Sequence, residues 1–180
     1  MSKAAHVIDI FLQPGEFYFG DRSTRIRTIL GSCVSITMWH PKLQLGAMCH
    51  YMLASRLNRR RKHLDGKYSE DAILMFFRAA VEANTDPHDY VIKIFGGGNM
   101  FPKQTQHLPC ATLPCEEVIH DCRNVSCKNG MTGRALLKRH GFAIAAEHVG
   151  GQGHRQVIFD IGTGHVWMRQ VAPITPAEDA

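Results

Sequence analysis

Cys33 and His50 are the two residues of this 180-residue sequence whose types and spacing best suit nucleophilic catalysis. A free thiol has a pKa of about 8.5 and is a weak nucleophile at neutral pH. A neighbouring imidazole can accept its proton and give a thiolate–imidazolium pair. Cys33 ends a Gly-Ser-Cys corner, whose backbone N–H groups are candidates for holding an oxyanion. A third polar group usually orients the base, and Thr28, five residues before Cys33, is a candidate.

The pairing of two β-type segments decides whether Cys33 and His50 can meet. Residues 33–40 alternate between apolar and polar side chains, and residues 45–53 form a second such segment after Pro41. If the strands turn over residues 41–42, Cys33 lies directly opposite His50, with Cβ atoms about 4.5–5.5 Å apart. A shift of two keeps both side chains on one face, whereas a shift of one separates them.

Purely structural roles for the same residues stay open. Cys33 could be a small buried hydrophobic residue, because free cysteine is among the most buried residue types. His50 could be a strand histidine whose hydrogen bonds are satisfied within the core. Cys49 is the competing thiol, and as the neighbour of His50 in a strand it is expected to point to the opposite face and to belong to the core.

The elements that must position these residues alternate between strand and helix patterns. Helices are expected over about 69–84, with Ser69 as N-cap and Val81 in the apolar stripe, and over 129–140. The expected strands are 16–20, 26–30, 33–40, 45–53, 91–95, 142–147, 156–160 and 165–171. This order predicts an α/β sandwich with a mixed or antiparallel sheet, not a doubly wound parallel fold.

Length and composition indicate one globular domain. Residues 1–180 are expected to form a single domain, with an insertion at about 102–122 and a frayed tail at 173–180. Apolar residues make up 44% of the chain, which excludes a mostly disordered protein. The N-terminal segment has no signal-peptide pattern, and no apolar run approaches a membrane span. We therefore expect a cytoplasmic protein with no membrane insertion, whose six cysteines stay reduced.

The net charge of +5 lies in one segment. Residues 56–67 contain six Lys or Arg and one Asp, so the other 168 residues sum to zero. This basic loop could bind phosphates, but it lacks interleaved aromatics and any nucleic-acid motif. It could instead steer the chain onto an acidic protein surface, or have no role beyond solubility. We expect no nucleic-acid partner and no cofactor.

A second cluster lies in the expected insertion and consists of zinc-ligand residue types. Its spacings are looser than the usual C-x2-C pattern, so a zinc site is the less favoured interpretation and an exposed cysteine-rich loop the favoured one. The cluster comprises His107, Cys110, Cys115, His120, Cys122 and Cys127.

Five sequence blocks, in the same order, resemble the chemoreceptor glutamine deamidase family, CheD, of bacterial chemotaxis. Together they run from about residue 26 to 171 and cover most of the chain. The blocks are RTILGSCVSITMWHP with LGAMCHYML, DGKYSEDAILMFF, KIFGGGNMF, AEHVGG, and HRQVIFDIGTGHVWMRQV.

The resemblance implies a three-layer α/β/β sandwich of the cysteine-hydrolase type. It places the nucleophile on the Cys of L-G-S-C, here Cys33, and the base on the His seventeen residues later, here His50. The family's third catalytic residue is a Thr just before that motif, and Thr28 is the only Thr within five residues upstream of it.

The implied reaction converts receptor glutamine side chains to glutamate with release of ammonia. The implied partners are methyl-accepting chemotaxis receptors, as substrate, and a CheC-type phosphatase. Two other classes remain open at this stage. One is a non-catalytic chemotaxis adaptor that binds the phosphatase, and the other is a zinc- or nucleic-acid-binding regulator built on the insertion and the basic loop.

Overall fold

A computed structural model describes residues 7–56, 63–105 and 123–171 of the chain. Within these ranges there are nine strands: β1 (Ile8–Phe11), β2 (Phe17–Gly20), β3 (Thr24–Leu30), β4 (Val34–His40), β5 (Leu45–Cys49), β6 (Val91–Gly96), β7 (Ile144–Val149), β8 (His154–Asp160) and β9 (Val166–Val171). The α-helices are α1 (Ser69–Glu82), α2 (Pro102–Thr105) and α3 (Val125–Arg139), and a 3-10 turn spans Pro87–Asp89.

The strands form two mixed sheets. The first sheet has the order β1-β3-β8-β9, in which β1 and β3 are parallel and the other pairs antiparallel. The second has the order β2-β5-β4-β6-β7, in which β6 and β7 are parallel and the other pairs antiparallel. The expectation of mixed sheets is confirmed, and the presence of two sheets agrees with the two β layers that the resemblance implies.

Two separate apolar clusters define three layers. One cluster lies between the sheets and includes Leu30, Met48 and Phe159. The other lies between the second sheet and the helices, and it includes Ile36, Phe76 and Leu137. The second sheet is therefore covered on both faces, which makes the fold the three-layer α/β/β sandwich expected from the resemblance.

The period of two along the strands decides which side chains face the space between the sheets. In β3 the residues with even numbers are buried and those with odd numbers are more exposed, so Thr28 points inward. In β4, Val34 and Ile36 pack toward the helices, whereas Trp39 packs between the sheets. The predicted alternation of residues 33–40 is thus confirmed.

Three details of the expected elements are wrong. Ser69 is the first residue of α1 and not its N-cap, because its hydroxyl donates to the Ala54 carbonyl instead of capping the helix. Val81 is 66% exposed and lies outside the apolar face. Helix α3 begins at Val125, four residues early, because the Asn124 side chain accepts from the N–H groups of residues 126 and 127 and caps it.

The first residue of the basic loop, Arg56, is held by contacts with the rest of the fold. The Arg56 guanidinium lies 3.4 Å from the buried carboxylate of Asp71 and 3.5 Å from Asp65, and it stacks 4.6 Å from the centre of the Tyr68 ring. Arg56 is therefore an internal anchor, and its charge is matched within the fold. Four further cations of this segment, at residues 59–62, lie outside the described residues.

Several other expectations also fall outside the described residues. The tail at 173–180 lies outside them. Residues 106–122 also lie outside them, and these hold most of the expected insertion and five of the six zinc-type side chains. Among the helices that the structure describes, none has the length and apolarity needed to cross a bilayer.

Candidate active site

The three residues singled out from the sequence project into the space between the two sheets. Thr28 lies on the inward face of β3 and is 2% exposed. Cys33 precedes β4 and packs against the cluster between the sheets. His50 follows β5 and is 2% exposed, and its neighbours Cys49 and Tyr51 both pack toward the helices. The first sheet thus contributes the hydroxyl, and the second sheet contributes the thiol and the imidazole.

The register of the β4–β5 hairpin differs from the predicted one by two residues. Thr37 lies opposite Met48, and the Val34 and Tyr51 backbones exchange hydrogen bonds of 3.0 and 2.9 Å. Cys33 and His50 are therefore diagonal neighbours on one face, not a directly opposed pair. A diagonal relation separates Cβ atoms by about 7 Å in a regular sheet. Among the described residues no hydrogen bond joins the Cys33 thiol to Nε2 of His50, so the two side chains share a face without a direct hydrogen bond.

The turn explains the difference in register. The chain reverses over residues 41–44, four residues instead of two, and the Gln44 N–H donates to the His40 carbonyl over 2.9 Å. Gln44 adopts the left-handed conformation with φ of 52°, which lets the extra pair of residues close the hairpin. Because the shift is even, His50 keeps its face.

The hydrogen bonds of the Thr28 hydroxyl determine which nitrogen of His50 carries the proton. The Thr28 hydroxyl donates its one proton to the Leu12 carbonyl over 2.8 Å. Its oxygen lies 2.8 Å from Nδ1 of His50, so it must accept from that nitrogen. The proton of the neutral ring is thus on Nδ1, and Nε2 keeps its lone pair. Nε2 is buried and has no hydrogen-bond partner among the described residues, which is the state required of a general base.

Burial sets the resting protonation state of the pair. It lowers the pKa of His50 to about 4, and the nearby Leu12 carbonyl and the Glu16 charge, which favour the protonated ring, offset only part of that effect. Burial also raises the pKa of the Cys33 thiol, against a hydrogen bond from Ser32. Both directions favour a neutral thiol beside a neutral imidazole. Burial therefore opposes ionisation of both groups and disfavours the thiolate–imidazolium pair relative to the neutral pair.

The buried imidazole gives the free energy of unfolding a specific pH dependence. The pKa of His50 is about 4 in the folded protein, against about 6.5 in the unfolded chain. Between those values the unfolded chain binds a proton that the folded protein does not. We therefore expect stability to fall by up to about 3 kcal/mol as the pH drops from about 6.5 to about 4. Urea unfolding at several pH values measures this loss.

Two variants assign that loss to His50. In His50→Gln most of the loss in this pH window should disappear, because glutamine does not titrate. His165→Gln is the control, since His165 is exposed, and it should keep the wild-type dependence. A His50→Gln protein with the full wild-type pH dependence would show that the imidazole is not held neutral by burial.

Cys49 is excluded as the reacting thiol by its surroundings. It is fully buried among the residues that face the helices, and burial raises its pKa to about 12. Its side chain therefore lies on the opposite side of the second sheet from His50. The expectation that Cys49 belongs to the core is confirmed.

A glycine-rich segment holds the backbone around Cys33. The N–H groups of Gly97 and Gly98 donate over 2.8 Å to the carbonyls of Cys33 and Gly31. Gly96 has a φ of 120°, and a Cβ there would collide with the Cys33 carbonyl oxygen, so this approach requires glycine. This glycine-rich segment therefore packs directly against the backbone of the turn that carries Cys33.

A buried arginine, Arg155, packs against the glycine-rich segment. Arg155 is fully buried, and its Nε donates over 2.9 Å to Nδ1 of His148. Its guanidinium also donates to the Gly150 carbonyl and packs against Gly98. Arg155 was not singled out from the sequence, since nothing in the local pattern marks it as buried.

The described residues contain no group of three or more His, Cys, Asp or Glu side chains placed to hold a metal ion. Cys127 is described, on α3, where its thiol lies 3.5 Å from the sulfur of Met131. Its five proposed co-ligands lie outside the described residues, so the zinc interpretation has no contact to rest on.

The fold and the site together define a class: a three-layer α/β/β protein in which a thiol lies on the same sheet face as an imidazole that is hydrogen-bonded to a buried hydroxyl. Comparison with known proteins identifies the family within that class. A family model described as CheD chemotactic sensory transduction matches residues 52–170, a range that begins just after His50. The chain belongs to the CheD family.

Curated relatives extend the match over almost the whole chain, including Cys33 and His50. A protein of Pseudomonas syringae pv. tomato is 41% identical over 94% of this chain and 93% of its own length. One of Albidiferax ferrireducens is 41% identical over 97% and 94%, and one of Leptospira interrogans is 39% identical over 91% and 93%. Each carries the name probable chemoreceptor glutamine deamidase CheD.

Proposed function

We propose that this protein is a chemoreceptor glutamine deamidase, which hydrolyses receptor glutamine side chains to glutamate and releases ammonia. Membership of the CheD family supports the reaction and the substrate. One observation supports the mechanism above the others: the Thr28–His50 hydrogen bond of 2.8 Å leaves Nε2 of His50 free on the face that Cys33 shares. Cys33 is then the nucleophile, His50 the acid–base residue and Thr28 the residue that orients it.

The first half of the reaction transfers the acyl group to the enzyme. Nε2 of His50 takes the proton from the Cys33 thiol as sulfur attacks the carboxamide carbon, so that the thiolate forms only during attack. The C–S bond forms and the carbonyl electron pair moves to oxygen. Collapse of this tetrahedral species breaks the C–N bond. The His50 proton passes to the departing nitrogen, which leaves as ammonia.

The second half releases glutamate. His50 is neutral again and takes a proton from water as the water oxygen attacks the thioester carbon. A second tetrahedral species breaks the C–S bond, and the proton on His50 returns to sulfur. The net change is addition of one water and loss of one ammonia, with the enzyme restored. Burial keeps His50 unprotonated at neutral pH, the state from which it can accept a proton, but the lowered pKa also makes it a weaker base than a solvent-exposed imidazole.

Partners and location beyond the receptor remain proposals. A CheC-type phosphatase is proposed as a binding partner from the family resemblance, and that role would need surface and not Cys33. A cytoplasmic location is proposed because a reaction that depends on a reduced thiol requires a reducing compartment. The cations at residues 59–62 are proposed to steer the enzyme toward acidic receptor surfaces.

The reaction is tested directly with receptor cytoplasmic fragments as substrate. Wild-type protein should release ammonia, and mass spectrometry of receptor peptides should find specific glutamines converted to glutamate. Incubation in oxygen-18 water should place one heavy oxygen in each new carboxyl group. Receptor binding without conversion would instead support the adaptor interpretation.

A further inference from the structure

The peptide that joins Ser32 to the nucleophile is held by a residue from a distant part of the chain. The carbonyls of residues 31 and 33 accept from the glycine-rich segment described above. The Ser32 carbonyl between them accepts from Nδ2 of Asn129 over 3.0 Å, and Asn129 is 97 positions further along the sequence. All three carbonyls of the cysteine turn are therefore fixed from outside it.

Asn129 also holds the strand that carries the base. Its Nδ2 donates a second hydrogen bond of 2.7 Å to the carbonyl of Met52, two residues after His50. Its own backbone carbonyl accepts from the Tyr51 hydroxyl over 2.8 Å. The side chain is 1% exposed, so no water competes for these contacts. One amide group thus links the backbone beside Cys33 to the backbone beside His50.

The orientation of the Ser32–Cys33 peptide has a chemical consequence. All described peptide bonds are trans, so the N–H of a peptide points opposite to its carbonyl. Because the Ser32 carbonyl points to Asn129, the Cys33 N–H points away from α3. Within the described part of the chain this N–H has no acceptor. A free N–H on the nucleophile's own residue is a donor of the kind that stabilises the oxyanion of acyl transfer.

We propose that Asn129 is a positioning residue for the oxyanion donor. By holding the Ser32 carbonyl it aims the Cys33 N–H at the oxygen of the acyl group that Cys33 attacks. This assignment rests on the proposed function for its biological reaction, but the geometry concerns any acyl transfer to Cys33. It can therefore be tested without a receptor.

Three variants separate positioning from general support. Asn129→Asp has nearly the same shape but sets a carboxylate oxygen against the two carbonyls, so it should turn the peptide. Asn129→Ala removes the donors without adding charge and carries the test if the Asp variant does not fold. Tyr51→Phe is the matched control, because it cuts the hydrogen bond between Tyr51 and α3 and leaves the Ser32 carbonyl untouched.

The measurement compares two reactions of the same thiol. Acylation of Cys33 by p-nitrophenyl acetate passes through a tetrahedral oxyanion, whereas alkylation by iodoacetamide displaces iodide at a saturated carbon and forms none. Both need the thiolate, so the ratio of their rates isolates stabilisation of the oxyanion. Rates are read on the Cys33 peptide by mass spectrometry, with Cys33→Ala as the background.

We expect both Asn129 variants to lower the acylation-to-alkylation ratio about 10²-fold, the usual effect of losing one oxyanion donor, with alkylation changed only a few-fold. Tyr51→Phe should keep the wild-type ratio. A ratio that is unchanged in the Asn129 variants, or lowered equally in Tyr51→Phe, would overturn the proposal. The two proposals can fail separately. If the variants give the expected ratios but the wild-type protein deamidates no receptor, the proposed function is refuted and the role of Asn129 is supported.

Discussion

Cys33→Ala is expected to abolish ammonia release from a receptor fragment. A carboxamide is a poor electrophile, and in the proposed mechanism the thiol is the atom that forms the covalent bond, so no other group replaces it. Loss of a nucleophile of this kind typically costs about 10⁴-fold or more in kcat. The fold should survive, because Cys33 is only partly buried and alanine removes a single atom. Ammonia release and near-ultraviolet circular dichroism measure the two effects.

Cys49→Ala is the matched control for this variant. It removes the same atom from the next thiol along the chain, beside His50 but on the opposite face of the second sheet. We expect it to lose about 1 kcal/mol of stability, as a small core truncation does, and to keep its deamidase rate. Near-normal ammonia release by Cys33→Ala would refute covalent catalysis by this residue. The reverse pattern, in which Cys49→Ala is inactive and Cys33→Ala active, would reassign the nucleophile.

Thr28→Val should lower kcat about 10²-fold while leaving KM for the receptor nearly unchanged. Valine has the same shape as threonine but cannot accept the Nδ1 proton of His50, so the ring loses the contact that keeps its lone pair on Nε2. General base catalysis of this kind contributes about 10²–10⁴-fold. The variant also leaves the Leu12 carbonyl and Nδ1 without a partner, at a cost of about 1–3 kcal/mol in stability. Steady-state kinetics and urea unfolding measure the two effects.

Two further variants show whether the hydroxyl acts through His50. Thr28→Ser keeps the hydroxyl and should retain most of the activity. Thr24→Val makes the same chemical change four residues earlier on the same buried face of β3, where the hydroxyl does not hydrogen-bond to His50, and should leave kcat near normal. If Thr28→Val keeps a kcat within a few-fold of wild type, the imidazole does not need this hydroxyl for its orientation.

The face on which each reacting residue lies could be predicted from the sequence, because side chains alternate strictly along a strand. That rule was enough to place Cys33 and His50 together and to send Cys49 to the core. The register was two residues off, since nothing local indicates that Gln44 takes a left-handed conformation and lengthens the turn. The error was harmless to the site because an even shift preserves the face.

The contacts that complete the site could not be predicted, because they join residues far apart in the chain. Asn129 lies within a helical pattern and carries no local sign that its side chain reaches the carbonyl of Ser32. The strand β1 was also missed. It has four residues, and its parallel pairing with β3 depends on contacts that a pattern of alternation does not encode. Local periodicity thus predicted most of the strands and helices, the family resemblance implied the three layers, and neither indicated the tertiary contacts of Asn129.

The neutral resting state of Cys33 and His50 has a consequence for how the enzyme survives oxidants. Peroxide reacts with a thiolate and hardly at all with a thiol, so a cysteine kept permanently ionised is easily converted to sulfenic acid. Burial raises the pKa of Cys33 and lowers that of His50, so in the proposed mechanism the reactive anion forms only while an acyl group is being attacked. Under that mechanism Cys33 would be a strong nucleophile during turnover and a thiol of low reactivity toward peroxide between turnovers.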